Sequence, residues 1–322
     1  MRRNHSIDQA RFLAAAGVVW IHSLRSESLQ PLKEIGRFAV PFFVILTILL
    51  TMQGVDRSPN RSFKEFVAQR FQRLYLPMIL WSFAYLALKC VKLVVQPNAP
   101  NDFPGISFFW GGTAYHLWFI PFMFVICLAT FMMRKISIQT NRSIRCISWL
   151  LVATAFSIAF ALPEFPLAHL DPGLEWMWRA TPATLLAIAL FNFSGTQTSA
   201  FELSPKMCGL AIFVGSLALL LSVLQPDQLA LQIIAGLMFF AVVFNAPSQL
   251  DSCTWLTHLG RLSMGIYFSH LLLVKVGEIF FDRFSFLHPE ATDLLLFTTS
   301  LLGSIAISFV LYRSEKTKWL VA

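Results

Sequence analysis

The sequence predicts an all-α integral membrane protein: a bundle of about ten transmembrane helices, both termini cytoplasmic, forming one domain over residues 1–322. Three observations carry this. Of 322 residues, 56% are hydrophobic and only 13% are charged, where a soluble domain has roughly 25% charged. Apolar stretches of the length that crosses a hydrocarbon core, about 17 to 25 residues, recur along the whole chain. The basic residues also alternate between loops. With the N-terminus inside, fifteen of the 25 Lys and Arg fall in inward segments, including Arg2, Arg3, Arg57, Arg61, Lys64, Arg134, Lys135 and Lys318. Only Arg25, Lys33 and Arg283, with Arg37 at the outer edge of its span, fall outside, and the other six lie within spans. This bias sets the orientation.

Taken in order, spans are expected at residues 7–24, 35–53, 76–95, 115–133, 144–162, 175–193, 207–224, 228–245, 255–276 and 293–312. The sixth is interrupted by Arg179 and Pro182. The longest connections, 54–75 and 96–114, are rich in turn formers such as Pro59, Pro97, Pro100, Pro104 and Gly105, and are too short for a soluble domain. Phe occurs 32 times and Trp nine times, which suits helix packing and interfacial anchoring. The net charge of +8 follows from membrane topology and needs no nucleic acid. Cys90, Cys127, Cys146, Cys208 and Cys253 show no paired spacing, so neither a disulfide framework nor a metal site is expected. Arg2 and Arg3 before an apolar run resemble a signal peptide. The run has no clear cleavage boundary, so it is expected to remain as the first span.

That first span carries the most informative pattern. Arg11 and His22 stand eleven residues apart, which returns a helix to nearly the same face. Asp8, Arg11, Ala15, Val18, His22 and Arg25 form a stripe at 3-4-3-4-3 spacing. Charged groups at membrane depth cost a few kcal/mol, so the stripe is expected to line a polar cavity inside the bundle. On this topology Arg11 lies near the cytoplasmic face, and His22 lies about 16 Å further out at ~1.5 Å per residue. Arg suits a phosphate, and a neutral His suits removal of a proton from a hydroxyl. The same side chains also suit snorkelling to inner and outer headgroups.

Other candidates are weaker. Arg70 and Arg73, before Leu74-Tyr75-Leu76-Pro77, make a basic mouth that fits either an anionic cofactor or topology and anionic lipid. His116 and Trp118 open the fourth span, where interfacial aromatics are common. Tyr267 and His270 share one face in the ninth span, where His270 can serve as a hydrogen-bonding group between helices. Arg179 and Glu175, at i and i+4, are expected to form an ion pair. No HExxH, GxxxxGK[ST], GxSxG or GxGxxG occurs, so metalloprotease, P-loop, serine hydrolase and dinucleotide readings have no support.

Several of these segments together resemble the acyltransferase-3 family of membrane acyltransferases. Ile7-Asp8-Gln9-Ala10-Arg11, then ten residues and His22, is similar to its first-helix Arg-x10-His signature. Val40-Pro41-Phe42-Phe43 is similar to its second-helix run, and Arg70 through Pro77 to its basic third-helix entrance. His116-Leu117-Trp118-Phe119 and Leu259-Gly260-Arg261-Leu262-Ser263 through His270 resemble two further blocks. One departure is Leu46-Thr47, where the family commonly has Ser-Gly. No fused extracytoplasmic hydrolase-like domain is expected.

The resemblance implies transfer of an acyl group, usually acetyl, from cytoplasmic acyl-CoA to a sugar hydroxyl of a surface polysaccharide or lipid-linked glycan precursor. It implies His22, Asp8 and Arg11 in catalysis and Arg11, Arg70 and Arg73 on the CoA phosphates. It places His116, Trp118, Arg179, Tyr267 and His270 at the acceptor. The expected setting is a bacterial inner membrane, with lipid and polysaccharide-assembly proteins as partners and no metal. A transporter or flippase of lipid-linked sugars would use the same cavity without chemistry. A structural subunit of a polysaccharide synthase is a third possibility.

Overall fold

The computed structural model describes residues 5–95, 105, 108–140, 151–152, 154–155, 172–194, 203–226, 228–245, 254–283 and 288–321. Among these residues every regular element is helical. Helix α1 (His5–Ser23) is followed by a 3-10 helix, Glu27–Gly36, and by α2 (Ala39–Arg57). Next, α3 (Phe63–Arg70) runs through a π-helical turn, Phe71–Tyr75, into α4 (Leu76–Val95). A short α5 (Phe108–Gly111) and a 3-10 turn, Tyr115–Trp118, lead into α6 (Phe119–Thr140). Then come α7 (Pro172–Ser194), α8 (Pro205–Leu224), α9 (Leu229–Asn245), α10 (Thr254–Arg261), α11 (Ser263–Phe281) and α12 (Pro289–Arg313). A last 3-10 turn covers Lys318–Leu320.

Local chemistry explains several boundaries. Ser62 and Glu65 form a reciprocal capping box at the start of α3, both bonds 3.2 Å, which satisfies two otherwise free donors. Ser204 caps α8 ahead of Pro205, and Pro289 occupies the first turn of α12, where its missing N–H costs nothing. Pro182 sits inside α7 without ending it.

Six segments among the described residues are long and apolar enough to cross a membrane: Glu27–Arg57, Phe63–Val94, Tyr115–Ile136, Pro205–Leu224, Ser263–Phe281 and Pro289–Arg313. Leu229–Asn245 is a shorter apolar helix. Of the remaining expected spans, 144–162 is described only at 151–152 and 154–155. Helices α1 and α7 are long but more polar, because Asp8, Gln9, Arg11 and His22 lie on one and Glu175 and Arg179 on the other. Both bury alanine-rich faces against protein, including Ala14, Ala15, Ala183 and Ala187.

Two expected boundaries differ in an informative way. The α-helix of the second span begins at Ala39, after residues 27–36, which wind tightly around Pro31 as a 3-10 helix that Trp20 ties to α1 through a 2.8 Å bond to the Leu32 carbonyl. The ninth span breaks at Leu262 (φ −86°, ψ 0°) into α10 and α11. Helix α10 lies so close to α1 that a Cβ on Gly260 would stand 1.8 Å from the Asp8 carbonyl oxygen. Only glycine fits there.

The core places α1 at the centre. Ala10, Ala14 and Val18 join α2, α6, α7 and α9 in the largest apolar cluster, around Phe42, Ile45, Ile126 and Phe191. Ala15 and Val19, on a neighbouring face, join Leu262, Ile266 and residues of α12. A third cluster links α4, the Tyr115–Trp118 turn and α11 through Met78, Tyr85, Leu117 and Phe268. The C-terminal end of α1 reaches α11, where His22 meets His270.

Candidate functional site

The polar stripe of α1 faces protein. Asp8, Ala15 and Val18 are buried, Arg11 and His22 are half-buried, and only Arg25 is exposed, whereas Leu13 on the other side is 51% exposed. At the N-terminal end, Arg11 Nη1 donates to Asp8 Oδ1 at 3.5 Å across one turn.

At the C-terminal end, histidines from three distant segments meet. The His22 ring stacks on His270 of α11, centroids 5.2 Å apart and 29° between planes. His116, from the turn before α6, stands edge-on to His270 at 4.9 Å and to His22 at 6.3 Å. His116 and His270 are 3% and 0% exposed. This group is held by tyrosines. Tyr115 places its hydroxyl 2.9 Å from His22 Nδ1. Tyr85 of α4 donates to the Phe268 carbonyl at 2.7 Å, accepts from the Leu272 amide at 3.1 Å, and lies 3.5 Å from His116 Nε2. The Tyr267 hydroxyl donates to the His116 carbonyl.

The hydrogen bonds leave usable nitrogens. His270 Nδ1 meets the Tyr267 carbonyl at 2.7 Å, so it must be the protonated nitrogen. His270 Nε2 is therefore an acceptor, and it is buried with no partner; His116 Nδ1 is also buried without one. A buried unsatisfied polar atom is costly, and here two such atoms belong to one cluster of imidazoles. The arrangement can accept and pass protons of a hydroxyl-bearing ligand. Among the described residues no three His, Cys, Asp or Glu are arranged to hold a metal ion.

Of the sequence-selected residues, His22, His116, Tyr267 and His270 converge. Trp118 instead packs against Phe119 and Phe122, 5.5 and 5.8 Å away. Arg179 pairs with Glu175 at 2.9 Å and lies 5.5 Å over Trp176, a ring that Arg37 also approaches at 5.6 Å. Arg70 is half-buried over Phe66 at 5.0 Å, its buried Nε unpartnered, while Arg73 is exposed on the π-helical turn. Cys90, Cys127 and Cys208 are free thiols; Cys146 and Cys253 lie outside the described residues. Sequence reasoning missed Tyr115 and Tyr85. The only signal for Tyr115 was its position beside His116, and nothing marked Tyr85.

A family model described as an acyltransferase domain matches residues 4–313. The nodulation protein NolL of Mesorhizobium japonicum is 28% identical over 280 residues, covering 77% of this chain and 69% of NolL. No solved structure matches the chain.

Proposed function

The chain belongs to the acyltransferase-3 family, and on that premise we propose that it moves an acyl group, most simply acetyl, from cytoplasmic acyl-CoA to a sugar hydroxyl of a surface polysaccharide or lipid-linked glycan precursor. The observation that carries this reading is the cluster of His22, His116 and His270, with unpartnered nitrogens on His116 and His270, gathered at one end of the helix whose other end holds Arg11.

In this mechanism His22 Nε2 takes the proton of the acceptor hydroxyl as its oxygen attacks the thioester carbonyl. The carbon–sulfur bond breaks, and the departing thiolate recovers the proton from His22. Tyr115 fixes the ring through Nδ1, and His116, Tyr267 and His270 line the acceptor. Arg11, oriented by Asp8, acts with Arg70 and Arg73 on the CoA phosphates through charge-assisted hydrogen bonds. The unpartnered Nε of Arg70 supports an anionic ligand there. This scheme needs no metal. The proposed setting is a bacterial inner membrane, with ten spans and both termini inside, beside polysaccharide-assembly proteins.

The test compares surface glycan from wild-type, deletion and His22→Ala strains by mass, alongside protein level. Loss of one acetyl mass per acceptor unit in both mutants, with His22→Ala protein at normal level, supports the reading. Unchanged glycan mass, or a defect only in glycan export, contradicts it and favours a transport role.

A further inference from the structure

We propose that the groove between the π-helical turn and the chain folded back after α12 seats the nucleotide end of the acyl-CoA donor. The inference rests on the acyl-transfer reading and adds residues to it. The groove is half-open, has a volume of about 360 Å³ and is lined by Gln72, Arg73, Tyr312, Lys318 and Trp319. That volume falls in the range of small-ligand sites, roughly 300–1,000 Å³.

The wall is built structure. Trp81 Nε1 donates to the Leu320 carbonyl at 3.4 Å, and Thr317 Oγ1 donates to the Leu311 carbonyl at 2.7 Å. Trp319 Nε1 donates to the Lys316 carbonyl at 2.8 Å, which sets the indole ring. Val321 is 0% exposed, packed so tightly on α11 that a Cβ on Gly265 would lie 2.7 Å from it.

The lining groups match a phosphorylated nucleoside. Tyr312 and Trp319 line the groove with aromatic rings of the kind on which a base stacks, and the Gln72 amide carries a donor and an acceptor for its edge. Arg73 and Lys318 supply cations for phosphate. Lys318 is held beside Glu315, whereas Arg73 has no carboxylate partner among the described residues. Arg73 also stands one turn beyond Arg70, whose buried Nε is unpartnered. The groove therefore shares a residue with the basic pair already assigned to the donor. A phosphate beside an aromatic ring is also the chemistry of an anionic lipid headgroup, so the experiment must separate the two sources.

Purified wild-type, Trp319→Leu and Lys318→Gln proteins are tested for binding of adenosine 3′,5′-bisphosphate and for kinetics with acetyl-CoA and acetyl-pantetheine. We expect the bisphosphate to bind wild type and compete with acetyl-CoA. Each variant should weaken its binding and raise the acetyl-CoA KM about tenfold, with kcat retained, and the KM penalty should vanish with acetyl-pantetheine. Equal bisphosphate binding by variants and wild type overturns the proposal. So does loss of co-purifying anionic lipid in the variants with donor KM unchanged. If wild type binds the bisphosphate at the groove but transfers no acyl group, the functional reading fails and the nucleotide seat stands.

Discussion

Tyr115→Phe removes a single hydroxyl, 2.9 Å from His22 Nδ1, and keeps the ring that meets His22 edge-on at 5.3 Å. If His22 works through Nε2, its proton resides on Nδ1, and the phenol oxygen fixes the ring in the working orientation. One such hydrogen bond is worth about 1 kcal/mol, which corresponds to a roughly fivefold fall in kcat. Removing the base itself with His22→Ala costs far more, about 10²–10⁴-fold. Because Tyr115 is argued to act through His22, the two losses are not additive. Initial rates with labelled acetyl-CoA, measured for wild type, both single variants and the double variant, give the coupling. The double variant should equal His22→Ala. A further fivefold loss on removing the hydroxyl from His22→Ala would refute the reasoning, because Tyr115 would then act without the imidazole.

Three other outcomes follow from named contacts. Arg11→Ala should raise the KM for acetyl-CoA while protein level holds, and an unchanged donor affinity would remove Arg11 from the phosphate site. Asp293, 2% exposed, accepts from the Arg25 and Ser26 amides at 2.8 Å and from the Ser26 hydroxyl at 2.7 Å, three and four residues beyond His22. Asp293→Ala leaves those donors unpaired and should cost about 2–3 kcal/mol, seen as a lower thermal midpoint in detergent, with Asp293→Asn losing less. Gly260→Ala must open a 1.8 Å approach to the Asp8 carbonyl by more than about 1 Å, a misplacement that can cost ~10²-fold in turnover; full activity in that variant would show that α10 need not touch α1.

What was legible in the sequence was whatever a single helix contains. The Arg11–His22 face, the Asp8–Arg11 contact and the Glu175–Arg179 pair depend on separations of three, four and eleven residues, which helical geometry fixes locally. The meeting of His22 with His116 and His270 depends on how separate helices pack, and no periodicity reports that. Likewise Tyr85 reaches the site only because its hydroxyl caps main-chain groups of α11. The break at Leu262 was hidden because residues 255–276 read as one apolar run, and the close approach of the α1 backbone to Gly260 arises only from packing. Nothing in the pattern around Pro31 shows that the chain between the first two spans winds as a 3-10 helix against Trp20, since that contact joins separate segments. The folded-back chain after Arg313 carries only two cations and an indole in a polar stretch, with no pattern that announces a groove.

The central claim, that a donor held at the inner end of α1 is used by His22 at its outer end, is tested most directly in proteoliposomes. Labelled acetyl-CoA is enclosed inside vesicles with right-side-out protein, and the glycan acceptor is supplied outside. Label should appear on the external glycan with wild type and not with His22→Ala. Label that never leaves the lumen, or transfer that persists undiminished without the His22 imidazole, would contradict the account.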